Sequence, residues 1–133
     1  MGRHMVSTTV RCPRCSNPAS LTNVAVSQRS GLRVSSSLSC SSCSYAQESD
    51  GHELTDSART AFYAAEGEWS LRLRSFGPRR LEVLRVLRTV QDRSPAELVR
   101  LEGADVVKGA LVEIECVEDL LKEAGADVER VRL

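Results

Sequence analysis

The chain is short of the residues on which several classes of protein depend. Only 4% of its 133 residues are aromatic, and it has only two histidines. No apolar run reaches the roughly 20 residues of a membrane-spanning helix, and no secretory signal peptide is visible. A glycine-rich phosphate loop is also missing, and neither histidine has the sequence context of a catalytic pair. These shortages predict a non-catalytic cytoplasmic protein that does not enter a membrane.

The first five residues, Met1-Gly2-Arg3-His4-Met5, are typical of an expression scar followed by a natural start at Met5. They are left out of the predicted fold, and His4 is not counted as a candidate ligand. Shifts in composition then predict three segments. These are a small cysteine-bearing domain at residues 6–50, a linker with a short helix at residues 51–68, and a larger domain at residues 69–133.

Positive and negative charges are separated along the second half of the chain, although the formal net charge is zero. Residues 72–100 contain eight arginines against three acids, whereas residues 101–133 contain nine acids against four bases. Two solvated faces of one domain would explain this pattern. A basic surface that meets an acidic partner is the alternative, and its candidate residues are Arg79, Arg80, Arg85 and Arg88.

Four of the five cysteines fall in two Cys-x-x-Cys pairs, Cys12 with Cys15 and Cys40 with Cys43. Such pairs in an unsecreted chain favour a metal over a disulfide framework. Zinc takes four thiolates at tetrahedral corners, about 2.3 Å from the metal, and a site closed by four protein ligands is structural. The sequence therefore predicts structural Zn²⁺ in a zinc ribbon over residues 8–48. An iron site and redox-active pairs are the alternatives.

The remaining chemical candidates have ordinary explanations. Cys116 is expected to be a packed thiol, and His52 a surface histidine. The acid pair Glu118-Asp119 is expected on an exposed helix face. No catalytic set is predicted from these residues.

Hydrophobic spacing predicts an α+β fold. Val24 and Val26 alternate before Ser30-Gly31, and Leu32, Val34 and Leu38 alternate after it, which indicates a hairpin with its turn at Gly31. A short helix is predicted from Thr55 or Asp56 to Gly67. The later elements are predicted, in order, at WSLRLRSF (strand), RRLEVLRVLRTV (helix), SPAE onwards (helix), DVVKGALV (strand), VEIECVEDLLKEAG (helix) and ADVERVRL (strand).

Residues 69–133 resemble the C-terminal domain of the bacterial ribosomal stalk protein, which recruits translational GTPases. The likeness covers WSLRLRSFGPRRLEVLRVLR and LLKEAGADVER. It implies a β-α-α-β-α-β sandwich with a three-stranded antiparallel sheet, no catalysis, and a protein partner. The chain departs from the family at Asp92-Arg93-Ser94, where a Gly-Leu-Gly turn is expected, and at Ala96 and Val99, where lysines are expected.

Three functions are consistent with these features. The first is a zinc-binding adaptor that contacts a protein, for example in the translation machinery. The second is a nucleic-acid-binding regulator that uses Arg11, Arg14, Arg29 and Arg33 of the ribbon, although Tyr45 is the only aromatic residue there. A peptide-recognition adaptor is a third, argued from shared fold alone.

Overall fold

The computed structural model describes residues 2–133, which form two antiparallel sheets and four α-helices. The strands are β1 (Arg3–Arg11), β2 (Pro18–Gln28), β3 (Gly31–Ser39), β4 (Ala46–Gly51), β5 (Glu68–Ser75), β6 (Asp105–Ala110) and β7 (Asp127–Arg132). The helices are α1 (Asp56–Glu66), α2 (Arg80–Val90), α3 (Pro95–Leu98) and α4 (Leu111–Glu123). A single 3-10 turn, Val99–Leu101, continues α3.

The first sheet is a four-stranded meander with the order β1-β2-β3-β4. Arg11 pairs with Pro18, and Ser39 pairs with both Ser20 and Ala46. The loop from β1 to β2 and the loop from β3 to β4 therefore lie at the same end of the sheet. Each of these loops carries one Cys-x-x-Cys pair.

The predicted hairpin is confirmed as β2 and β3, which pair through Gln28 and Gly31 at its turn. Two further strands were not predicted. β1 begins at Arg3, so residues 3–5 belong to the sheet, and leaving them out of the fold was wrong. β4 contains no large apolar residue, and it forms by pairing with β3 along the edge of the sheet.

The second sheet has the order β6-β5-β7, with both pairings antiparallel. The predicted β-α-α-β-α-β order after residue 68 is confirmed. Local signals account for the starts of two helices in the chain. Thr55 caps α1 by accepting the Ala58 N–H, and Ser94 and Glu97 form a capping box at the start of α3.

Helix α4 packs against both sheets. Ile114, Val117 and Leu121 belong to a core cluster with β5, β6 and β7. Val112, at the start of the helix, belongs to a second cluster with Ala25 and Val34 of the first sheet and with Phe62 of α1. Helix α4 thus contributes to two separate apolar clusters, one on the side of each sheet.

No α-helix within residues 2–133 has both the length and the apolar character needed to cross a membrane.

Candidate metal centre

The sulfur atoms of Cys12, Cys15, Cys40 and Cys43 all lie within 4.8 Å of one another. Cys12 Sγ is 3.7 Å from Cys43 Sγ, and Cys15 Sγ is 3.6 Å from Cys40 Sγ. A tetrahedron with metal–sulfur bonds of about 2.3 Å has edges of roughly 3.8 Å. The two contacts between the loops match such an edge. They are far longer than the roughly 2.05 Å bond of a disulfide, and all the cysteines are free.

The two loops position the sulfurs through tight backbone turns. In the first, the Ser16 N–H donates to the Cys12 carbonyl at 2.9 Å, and the Cys12 N–H donates to the Asn17 carbonyl at 2.8 Å. In the second, the Cys40 N–H donates to the Tyr45 carbonyl at 2.9 Å. The residue after each second cysteine has a positive φ, 64° at Ser16 and 61° at Ser44. These are the positions at which glycine would be the least strained residue.

Backbone amides are directed at the sulfurs and favour the thiolate form. The N–H groups of Cys43 and Ser42 donate to the Cys40 sulfur and lower the pKa of this thiol to about 6, against the opposing effect of burial. Burial raises the pKa of the Cys12 thiol, but donation from the Cys15 and Arg14 N–H groups outweighs it, and the net pKa is lowered.

The thiol of Cys43 shows why the cluster needs a cation. The Tyr45 N–H lowers the pKa of Cys43, but burial and the three neighbouring sulfurs raise it to about 12. Four thiolates this close repel one another, so the last proton is retained unless a positive ion balances their charge. A bound metal requires all four cysteines to be deprotonated and supplies that charge.

Burial divides the four ligands into two inner and two outer positions. Cys12 and Cys40 are buried, whereas Cys15 and Cys43 are partly exposed. The cluster packs with only Ala19 buried beside it and with the partly buried Val10, Leu38 and Tyr45, a small set of apolar neighbours. A metal here would hold one end of the sheet where hydrophobic packing is thin. In ligand type, number and spacing the site fits a four-cysteine metal-binding module, with zinc as a suitable ion.

The structure keeps Cys116 and His52 away from this centre. Cys116 is buried in α4, where burial raises the pKa of its thiol despite a contact with Ser27. His52 is exposed, and its Nδ1 lies 3.3 Å from the Leu32 carbonyl oxygen. Among residues 2–133, the four-cysteine cluster is the only group of three or more side chains whose ligand atoms lie close enough together to hold one metal ion.

The expected exposure of Glu118 is wrong, since only 4% of this residue is accessible. The Arg130 guanidinium donates to both of its carboxylate oxygens, at 2.7 to 3.1 Å. Lys122 Nζ lies 3.8 Å away. Glu118 is buried because α4 is covered by both sheets, which leaves it less exposed surface than a helix packed on one side.

The four candidate partner-binding arginines, Arg79, Arg80, Arg85 and Arg88, are all exposed near or on α2. Arg79 donates to the Glu123 carbonyl at 2.6 Å, and the Arg80 guanidinium lies 4.9 Å from the centre of the Phe76 ring. Arg85 pairs with Glu82 on the same helix at 3.1 Å.

Other charges of the basic segment are neutralised within the fold. Arg72 lies 3.1 Å from Asp105, and Arg74 lies 3.1 Å from Glu129. These pairs join the basic and acidic segments across the second sheet. The charge separation seen in the sequence is therefore partly cancelled in the fold. The exposed arginines of α2 carry much of the positive charge that remains.

Sequence reasoning missed a polar cluster around His4. Its Nδ1 lies 2.7 Å from Glu66 Oε2 and its Nε2 lies 2.9 Å from Glu115 Oε2. This cluster is at the opposite end of β1 from Cys12. The three residues are far apart in the chain and form no motif, so the sequence held no signal for them.

Comparisons with known proteins add no relative to this description. No protein-family model matches the chain, and no curated protein matches it. The likeness of residues 69–133 to the stalk domain finds no support in these comparisons.

Proposed function

We propose that the chain is a non-catalytic zinc-binding adaptor. The observation that carries this proposal is the closed set of four sulfurs at tetrahedral spacing. Protein ligands fill all four positions, so a bound zinc has none left for a water or a substrate. The metal then acts as a structural element of the sheet rather than as a catalyst.

The second half of the chain provides the protein-binding surface in this proposal. Its observed order of strands and helices supports the resemblance to the stalk C-terminal domain. Arg85 and Arg88 lie on the exposed side of α2, and Leu81 on the same helix is 72% exposed. A partner with an acidic and partly apolar surface fits this combination. The resemblance suggests a translational GTPase as the first partner to test.

The adaptor proposal is tested by a binding titration between the zinc-loaded chain and a bacterial translational GTPase. Combined R85E and R88E substitutions should weaken binding at least tenfold. The matched control is R33E, which reverses an exposed arginine on β3, and it should leave binding unchanged. An equal loss of binding per reversed charge in the two proteins would show that any binding depends only on overall charge. No binding by the unsubstituted chain would reject the translational partner.

The structure of the cysteine-bearing sheet supports nucleic-acid binding less than its sequence does. Arg29 is paired with Glu123 at 2.6 Å, and the Tyr45 hydroxyl donates to Gln47 at 3.0 Å. Two of the groups suited to phosphate or base contacts thus already have partners. A titration with single-stranded RNA at low salt forms the second arm of the test, since electrostatic binding would be strongest there.

A further inference from the structure

His4 links the first strand to two helices that are distant in sequence. Glu66, its partner at 2.7 Å, is the last residue of α1, and Glu115, its partner at 2.9 Å, lies in α4. The His4 side chain is only 11% exposed. The ring is therefore held between two carboxylates, with little access to water.

This geometry favours two protons on the ring. A neutral imidazole has one N–H donor and one lone pair, whereas an imidazolium donates from both nitrogens. Each His4 nitrogen faces a carboxylate oxygen, which can only accept. A neutral ring would turn its lone pair toward one of these oxygens. Loss of the proton that faces Glu66 would cost most, because Glu66 Oε1 is already buried without a hydrogen-bond partner.

The charged groups around His4 come from three elements. Glu66 belongs to α1 and Glu115 to α4, while Arg130 of β7 lies 3.6 Å behind Glu115. Asp119 of α4 lines the small cavity shared by Gly2, Glu115 and Arg130. The residue opposite His4 on β2 is Ala25, which has no charge.

We propose that His4 is a pH-sensitive clasp that fastens β1 to α1 and α4 and loosens when its ring loses the second proton. Loosening would weaken the hold of the cysteine-bearing sheet on the helices. The apolar cluster formed by Ala25, Val34, Phe62 and Val112 would then hold the two parts together.

The direction of the pH dependence follows from the surroundings of the ring. Burial lowers the pKa of His4, but its hydrogen bonds and charge interactions with Glu66 and Glu115 outweigh burial and raise the pKa above 6.5. The stabilisation is therefore complete below the ordinary histidine pKa of about 6.5. It is lost as the pH rises through the higher pKa of the folded protein.

An NMR titration of the His4 ring in the zinc-loaded full chain tests the clasp directly. Its midpoint should lie above the ordinary histidine value of about 6.5. The H52Q variant assigns the signals, because His52 is the only other histidine in the chain. A midpoint for His4 at or below the ordinary value would overturn the clasp.

A second measurement tests whether the proton controls stability. The melting temperature of the native chain should fall by a few degrees more than that of H4Q between about pH 6.5 and pH 9. H52Q should follow the native profile, and the effect of pH on the zinc ligands is common to all three proteins. A chain that begins at Met5 should behave like H4Q. Identical pH profiles for native protein and H4Q would reject the proposal, even if H4Q is uniformly less stable.

Discussion

Cys15 Sγ lies 3.6 Å from Cys40 Sγ, although 25 positions separate the two residues in the chain. The β2–β3 hairpin brings them together because its paired strands return the chain to the end at which it began. The distance is that of a tetrahedral edge around a metal and not that of a disulfide. Pairing of β2 with β3 therefore brings the ligands of the metal centre together.

Removing the metal is expected to unfold the four-stranded sheet. The zinc-loaded chain should contain about one metal per molecule by elemental analysis, and excess chelator should remove the part of the β-sheet signal in circular dichroism that comes from the four-stranded sheet, leaving that of the three-stranded sheet. The physical reason is that structural zinc contributes about 10 kcal/mol or more to the folding of small modules. A chain that keeps its sheet in chelator would contradict a structural role for the site.

Replacing Ser16 or Ser44 with glycine is expected to stabilise the zinc-loaded protein. Both serines have positive φ values, which glycine adopts without the steric cost of a Cβ atom. The expected gain is about 0.5–1 kcal/mol at each position, measured by urea unfolding. The matched control is S37G in the middle of β3, which should destabilise the protein by a similar amount. Loss of stability in S16G and S44G would show that the serine side chains contribute more than the backbone strain costs.

The ion pair between Arg130 and Glu118 is expected to respond asymmetrically to substitution. Arg130→Gln should cost about 3 kcal/mol or more, because it leaves the buried Glu118 carboxylate without its main partner. Glu118→Gln should cost only about 1 kcal/mol, because the Arg130 side chain is 40% exposed and can still contact water and Glu115.

The measurement for this pair is urea unfolding at neutral pH. Arg74→Gln is the control, since its pair with Glu129 is exposed and should be worth less than about 1 kcal/mol. Equal costs for the Arg130 and Glu118 changes would imply that Glu118 gains access to water when its partner is removed.

Cys116 is expected to resist alkylation in the folded protein. Burial raises the pKa of its thiol, so less thiolate is present at pH 8 than in the unfolded chain, and the sulfur is also shielded. Iodoacetamide should modify Cys116 only after denaturation, as followed by peptide mass spectrometry. The same treatment after chelation alone reports whether metal loss also opens the environment of α4. Rapid modification in the zinc-loaded state would show that Cys116 is a reactive thiol.

The sequence predicted those features that depend on local patterns. The spacing of the cysteine pairs identified the four residues whose sulfurs cluster. The first helix starts at Asp56, one of its two predicted starts, and Ser94 is the N-cap that was predicted for α3. Each of these signals lies within a few neighbouring residues. The helix-start signals are reliable because capping hydrogen bonds form within one turn of the chain.

The features that were missed depend on contacts between distant parts of the chain. The segment Ala46–Gly51 has no apolar pattern, and only its pairing with β3 makes it a strand. Glu118 lies at a position that would be exposed if α4 packed on one sheet, but the helix is covered on two sides. The bonds of His4 join positions 62 and 111 residues away. No local periodicity records such contacts.

The position of α4 between the two sheets has a consequence for any attempt to exchange parts of this chain. A fragment containing only residues 69–133 would expose Ala110 and Val112, which are fully buried in the whole molecule against Ala25, Val34 and Phe62. Such newly uncovered apolar surface favours self-association. The two halves therefore cannot be exchanged as independent units. A fusion or truncation that separates them would need polar substitutions on this newly exposed apolar surface to stay monomeric.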